Sequence, residues 1–297
     1  MSRTQPPWYP PPGPDLREAD EDQVVRWIGG WLMDAAPEGW LRVDMTARVA
    51  STVEEISLAV VMPDGDPARM EPPPDVSPLL FELRQKKYLR GRGTWLSMRL
   101  VIEPAGDYRV TYNFDADPRW DPPVETAVFD HDFETFPRDD EWIPAWYREG
   151  IKGETGGTRT PDEPNALLQS LANELKFALP AGWDYVQLQY RAVGDHEESG
   201  AVVHSITGTV YPWNPPEQVL DLLRRHRAAS LSDGRGTWVS LKYEMSFPES
   251  VKAQFNAIEE PGFQQRPPAE AFAEELRRYP RSERRTPDWL RQGAEGA

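Results

Sequence analysis

Side chains that could do acid–base or metal chemistry are few in this chain of 297 residues, which has four histidines and no cysteine. The histidines stand at positions 131, 196, 204 and 226. None has another histidine within one helical turn, so the spacing does not indicate a zinc site. The lack of cysteine excludes a thiolate metal site, a thiol nucleophile and a disulfide framework. We therefore expect no metal and no cofactor.

Two short segments hold residue types that are used in ion binding, but neither has the required spacing. Asp115 and Asp117 stand at the end of a predicted strand, yet Arg119 follows where an EF-hand loop needs a further oxygen ligand. The segment 91–95, Gly-Arg-Gly-Thr-Trp, lacks the glycine spacing of a phosphate loop and precedes a strand rather than a helix. We interpret its glycines as a helix-to-strand turn that needs positive φ.

The dominant pattern in the sequence is a duplication with an offset of 143 residues, a period that is typical of a domain. The Gly-Arg-Gly-Thr-Trp segment at 91–95 recurs at 234–238. The four histidines do not recur, because Glu, Val, Val and Leu stand at the equivalent positions. The landmarks that do recur are mostly Trp, Pro and Gly: Gly39-Trp40 with Gly182-Trp183, Asn113 with Asn256, Pro137-Arg138 with Pro280-Arg281, and Trp146 with Trp289.

Apolar periodicity predicts the order α-β-β-α-β-β-α in each copy. The first helices end at Pro37 and Pro180, because proline interrupts helical hydrogen bonding. Strands are predicted at 41–49 and 53–62, and at 185–190 and 201–211, with 194–195 and 199–200 in the hairpin loop of the second copy. Asn214 is predicted to cap the next helix. We expect an α+β fold of two tandem homologous domains, each a small antiparallel sheet with packed helices.

The predicted division of the chain follows from composition. We expect a proline-rich disordered leader at 1–16, a first domain at 17–149, a linker at 150–161, a second domain at 162–291 and a frayed tail at 292–297. No secretory signal or membrane span is predicted, which favours a cytoplasmic protein.

The chain is acidic, with a formal net charge of −16, and the charge is unevenly distributed. Residues 1–150 hold 16 Lys and Arg against 28 Asp and Glu, a net of −12, and the remainder holds 17 against 21, a net of −4. Free nucleic acid and anionic membranes are disfavoured as partners, because both require basic surface. A basic protein is compatible, and so is a role in solubility alone.

The two copies differ most around their last helix. The offset replaces Glu134 by Arg277, Glu141 by Arg284 and Trp142 by Arg285. Three interpretations stay open: a solvated charged face, a docking surface for a basic protein, or mutual contact of the acidic and basic regions within one chain or between chains. The candidate partner-binding residues are Asp115, Asp117, Asp121, Asp130, Asp132, Glu134, Asp139, Asp140 and Glu141.

The repeated landmarks resemble the YezG/EsaG-like immunity proteins, the antitoxins of bacterial polymorphic toxins. The similarity covers residues 20–149 and again 163–290, and the repeats also resemble segments that precede TNT-type NAD glycohydrolase toxin domains. The duplication and the proline-rich leader depart from the single-domain family pattern. The residues that carry the resemblance, which we expect to be structural, are Trp40, Trp95, Pro137, Arg138, Trp146, Trp183, Trp238, Pro280, Arg281 and Trp289.

The resemblance implies a non-catalytic protein that neutralises a basic toxin, of the nuclease or NAD glycohydrolase class, by direct binding through the acidic first domain. The alternative is a structural or regulatory adaptor, or a chaperone-like module, that brings protein partners together. An unrecognised enzyme is the third hypothesis, and no catalytic residue is predicted for it. The sequence leaves the oligomeric state open.

Overall fold

A computed structural model describes residues 16–65, 67–144, 146–148 and 163–295 of the chain. The predicted leader, apart from residue 16, and the predicted linker lie outside the described residues, as does Ala145. The chain divides into two compact units, Met1–Arg159 and Thr160–Ala297. Each unit holds one five-stranded antiparallel sheet with helices, so the predicted α+β fold with two tandem domains is confirmed.

The first domain begins with helix α1. Its N-cap residue is Asp20, whose side chain accepts a hydrogen bond from the backbone N–H of Gln23. Its sheet has the strand order β3-β2-β1-β4-β5. A short 3-10 helix follows α3 at Asp140–Trp142. The elements in chain order are α1 Glu21–Ala35, β1 Arg42–Ala50, β2 Val53–Val61, β3 Pro67–Met70, α2 Val76–Lys86, β4 Ser97–Ile102, β5 Tyr108–Asn113 and α3 Thr126–Thr135.

The second domain repeats this order, and its sheet is β10-β9-β6-β7-β8. A 3-10 helix at Glu283–Arg285 again follows the third helix of the domain. The elements are α4 Pro164–Ala178, β6 Trp183–Val193, β7 His196–Ser205, β8 Val210–Trp213, α5 Glu217–Ala229, β9 Ser240–Ser246, β10 Ser250–Asn256, α6 Ala269–Arg278 and α7 Asp288–Glu295.

The main core of each domain lies between the sheet and its first two helices. In β1 the alternate residues Val43, Met45, Ala47 and Val49 are buried in one cluster with residues of α1 and α2, because successive side chains of a strand point to opposite faces. The second domain places Val186, Leu188 and Tyr190 in the equivalent cluster. A smaller core around Phe129 in the first domain, and around Phe272 in the second, holds the last helix of each.

The opposite face of the first sheet is also buried at its centre. Asp44 and Arg99 pair there at 2.5 Å, and both side chains are about 5% exposed. The offset puts Gln187 and Lys242 at these positions in the second domain, where neither is buried. The two domains therefore share a core but not the chemistry of this face.

Several local expectations are wrong. A third strand, β3 or β8, extends each sheet, so the predicted strand 201–211 is divided between β7 and β8. Residues 199–200 lie inside β7, and only Gly194-Asp195 forms the hairpin turn. Asn214 does not cap α5, which begins at Glu217 with Pro216 at the N-cap position. Gly293, in the tail expected to fray, lies in α7 against the ring of Phe272.

One buried histidine distinguishes the second core from the first. The Nε1–H of Trp238 donates to Nδ1 of His226 at 3.1 Å, and the imidazole stacks on Phe255 with centroids 5.0 Å apart. Leu83 stands at the equivalent position of the first domain, where the buried Nε1 of Trp95 has no partner among the described residues. Burial lowers the pKa of His226, so the neutral imidazole is favoured in the folded state.

We expect the second domain to lose stability in acid through His226. Because its folded-state pKa lies below the ordinary value of 6.5, the stability is present above pH 6.5 and falls below it, by up to about 1.4 kcal/mol per pH unit. Urea unfolding of wild type and His226→Leu between neutral and acid pH measures this. The variant should lose less stability in acid than wild type, and parallel pH profiles would contradict the assignment.

Candidate protein-binding surface

A buried ion pair joins the second and third helices of the first domain. The guanidinium of Arg84 donates from Nη1 and Nη2 to the two carboxylate oxygens of Asp132, at 2.6 and 2.9 Å. Both side chains are 1% exposed. The Nε–H of Arg84 donates to the carbonyl of Trp95 at 3.0 Å, so the guanidinium is also fixed to the chain that enters β4.

Asp132 extends this network to the β1–β2 turn. Its Oδ1 accepts the backbone N–H of Ser51 at 2.6 Å, and Ser51 adopts a φ of 52°. The second domain repeats the network with Arg227, Glu275 and the backbone N–H of Gly194, although Nη2 of Arg227 alone donates to both carboxylate oxygens. In both domains the pair thus connects the second helix, a hairpin turn, the segment that enters β4 or β9, and the third helix, although the acid differs in length.

The repeated Gly-Arg-Gly turn and the Pro-Arg motif pack on each other. Gly93 has a φ of 81°, and a Cβ there would lie 2.6 Å from Nε of Arg138. Nη2 of Arg138 donates to the carbonyl of Thr94 at 2.7 Å, and burial lowers the pKa of this guanidinium. Gly236 and Arg281 make the same approach in the second domain. This explains why both motifs recur together.

The remaining repeated residues are also structural contacts. The Nε1–H of Trp146 donates to the carbonyl of Asp115 at 2.9 Å, and that of Trp289 to Ile258 at 2.7 Å. Asn113 and Asn256 each accept two backbone N–H groups of the turn that follows their strand. The other repeated Trp residues lie in or against the main cores: Trp40, Trp95, Trp183 and Trp238. Pro137 and Pro280 lie two residues after the ends of α3 and α6.

The predicted partner-binding carboxylates divide into three groups: the buried Asp132, three exposed residues with neighbouring partners, and the remaining exposed residues. Asp132 is buried with Arg84, so its inclusion among exposed partner-binding residues is wrong. Three others are exposed but held by neighbours. Asp115 lies 3.5 Å from Arg92 and Arg138, Asp117 accepts the N–H of Arg119, and Asp130 accepts the hydroxyl of Tyr147. Burial together with Asp130 raises the pKa of that tyrosine.

The other predicted carboxylates are exposed. His131 lies 3.6 Å from Glu134, a contact that is an ion pair only when the imidazole is protonated. Within the described part of the chain, the carboxylates of Asp121, Asp139, Asp140 and Glu141 make no hydrogen bond or ion pair. The last three occupy consecutive positions at the N-cap and in the 3-10 helix. Their charge is therefore available to a partner.

The structure adds two exposed apolar side chains that were not among the predicted partner-binding residues. Trp142 is 38% exposed and Leu89 is 49% exposed. The guanidinium of Arg92 lies 4.8 Å from the centroid of the Trp142 ring, and the backbone N–H of Asp139 donates to the carbonyl of Gly91 at 2.6 Å. These contacts place Leu89 and Trp142 on adjoining segments. We define the acidic surface as Leu89, Arg92, Asp139, Asp140, Glu141 and Trp142.

A signal for these residues was present in the repeat. The offset places Ser232 opposite Leu89 and Arg285 opposite Trp142, so both change from apolar to polar while the turn beneath them is retained. In the equivalent region of the second domain, ion pairs with a nearby carboxylate offset part of the positive charge. Arg277 and Arg278 pair with Glu274, whose pKa falls to about 2 because of the Arg277 hydrogen bond.

The described residues contain no group of three or more His, Asp or Glu side chains placed to hold a metal ion. No helix among them is both long and apolar enough to cross a lipid bilayer. No model of a known protein family matches this chain, and no curated protein matches it. The resemblance to immunity proteins stays a prediction from the sequence.

We expect Asp132→Ala to destabilise the first domain by about 3–5 kcal/mol, because Arg84 is left buried without its carboxylate. Urea unfolding followed by tryptophan fluorescence measures the loss. The double variant Arg84→Met/Asp132→Leu should recover most of it, since both charges are removed together. Asp140→Ala is the exposed control, and an equal effect of the two single substitutions to Ala would disprove the role of the pair.

We expect Gly93→Ala to cost more stability than Gly39→Ala. Both glycines have φ above 80°, so both variants carry the left-handed cost of about 1–2 kcal/mol. Of the two, Gly93 faces a neighbour, whereas a Cβ at Gly39 would meet no described residue within 4 Å. The difference between the two unfolding free energies, expected at about 1–3 kcal/mol, measures the packing of Arg138 under the turn. Equal losses would contradict this packing.

Proposed function

We propose that this chain is a non-catalytic immunity protein, or antitoxin, that neutralises a bacterial toxin by direct binding through the acidic surface of its first domain. The observation that carries the proposal is the run of exposed carboxylates at Asp139, Asp140 and Glu141, which form no ion pair with the described residues and precede the exposed Trp142. The partner is a protein with a basic surface, and the protein acts in the cytoplasm.

The composition of the acidic surface is suited to protein recognition. Aromatic side chains are enriched where binding energy is concentrated, and charges around them favour the correct partner and accelerate its association. The guanidinium of Arg92 contacts the ring of Trp142 and also lies 5.1 Å from the ring centroid of Phe114. An aromatic anchor that is fixed before binding loses little side-chain freedom when a partner covers it.

The carboxylates match the chemistry of the toxin classes that the resemblance implies. A nuclease or an NAD glycohydrolase binds phosphate-bearing substrates, so its site carries positive charge. Asp139, Asp140 and Glu141 would take the place of substrate phosphates and cover that site. Both domains have the same internal frame, but the second carries Ser282, Glu283 and Arg284 at these positions, so we assign the contact to the first domain.

We expect the triple variant Asp139→Lys/Asp140→Lys/Glu141→Lys to weaken binding of a basic toxin domain of the nuclease or NAD glycohydrolase class by at least about tenfold, because reversed charges repel a basic partner. Titration calorimetry with the purified proteins measures the affinity. Growth of cells that express both proteins measures the protection, which should be lost.

The matched control is Asp34→Lys/Asp64→Lys/Asp107→Lys. It changes the net charge by the same amount, and Asp64 and Asp107 lie in the turns after Val61 and Ile102, which flank the start of β1. Ser97, at the other end of the sheet, adjoins the acidic surface through the 91–95 turn. The proposal fails if both triple variants bind and protect equally well.

A further inference from the structure

The second domain carries a surface whose chemistry is opposite to that of the acidic surface. Ile258 is 70% exposed and Leu231 is 45% exposed. Arg235, Arg284 and Arg285 are exposed, and within the described residues none of them forms an ion pair. We define the arginine surface by these five residues.

Backbone contacts hold the segments of the arginine surface together. Arg235 forms a bridge with Arg281, and the N–H of Ser282 donates to the carbonyl of Gly234 at 2.9 Å. Nη1 of Arg281 donates to the carbonyl of Ala257, next to Ile258, at 2.9 Å. The turn, the 3-10 helix and the end of β10 therefore form one region around Arg281, as their counterparts do around Arg138.

The two surfaces are complementary in composition. Each has two exposed apolar side chains, Leu89 and Trp142 in one and Leu231 and Ile258 in the other. Carboxylates lie on the same segments as the first pair, and guanidinium groups lie on the same segments as the second. An apolar centre with a charged rim is the usual anatomy of a protein interface, and opposite rims select one mutual orientation.

We propose that the acidic surface of one copy of this chain docks on the arginine surface of a second copy. Each chain has one surface of each kind, and each contact joins unlike surfaces of two copies, so a dimer is the smallest assembly that forms. Arg284 and Arg285 of one copy then face Asp139, Asp140 and Glu141 of the other. The isolated chain thus has a partner for its acidic surface in the absence of a toxin.

The net charge of −16 opposes association at long range but not at contact. At about 0.1 M salt the Debye length is about 10 Å, so charges distributed over the two molecules are largely screened from each other. Opposite charges that meet at the surfaces are separated by much less than this length. Association should therefore occur at moderate salt and weaken at high salt.

Sedimentation velocity of the full chain tests the proposal. We expect a reversible monomer–dimer equilibrium in about 0.1 M NaCl, over protein concentrations of about 1–100 µM, a range that spans micromolar dissociation constants. Variant A, Asp139→Lys/Asp140→Lys/Glu141→Lys, and variant B, Arg235→Glu/Arg284→Glu/Arg285→Glu, should each weaken it by at least about tenfold, because each gives two surfaces of the same sign.

Mixing the two variants is the decisive step. In variant A the acidic surface has become basic, and in variant B the arginine surface has become acidic, so these two altered surfaces attract each other. The unchanged arginine surface of A likewise meets the unchanged acidic surface of B. An equimolar mixture should regain dimers with an affinity within about threefold of wild type, a result that misfolded variants cannot produce. Monomers of wild type at every concentration, or variants that dimerise as well as wild type, would overturn the proposal. Neither result bears on the binding of a toxin.

Discussion

The buried pair of an arginine on the second helix and a carboxylate on the third is the interaction on which both domains depend. Arg84 and Asp132 are removed from water together, and their geometry satisfies both carboxylate oxygens as well as the backbone N–H of Ser51. A buried charge without its partner is strongly unfavourable, so the third helix has one position in which the arginine is neutralised. This fixes α3, and the 3-10 helix after it, relative to the sheet. The second domain uses Arg227 and Glu275 for the same purpose.

The structural frame determines where the variable surface lies. Arg138 supports the glycine turn from below, and the backbone of Asp139 is hydrogen-bonded to the carbonyl of Gly91. The Asp139 carboxylate lies against Gly91. The other side chains that project from these two segments can vary, because the hydrogen bonds involve the backbone and the arginine. One frame therefore presents carboxylates and a tryptophan in one domain, and arginines with Ile258 in the other. Recognition and folding are assigned to different residues of the same segments.

Much of the fold followed from the repeat, but the candidate surface followed only in part. Tandem domains, the helices before the Pro37 and Pro180 signals and the structural roles of the repeated Trp, Pro and Arg residues were predicted. The third strand of each sheet was missed because β3 and β8 are four residues long and contain proline, which weakens a strand pattern. Asp132 was grouped with its exposed neighbours because a run of acidic residues gives no indication of which one faces inward. The identical Arg84 and Arg227, with an acid at both 132 and 275, held the missing signal.

The sequence by itself determined the duplication, the class of fold and the difference in charge between the copies, because these depend on residue type and spacing along the chain. Only the tertiary structure decided which charges are available to a partner. Asp132 is neutralised inside and Asp115 lies beside two arginines, whereas Asp139, Asp140 and Glu141 are exposed next to Trp142. The physical reason is that the availability of a charge depends on the groups within a few ångströms of it. Those groups come from segments up to 81 residues away along the chain.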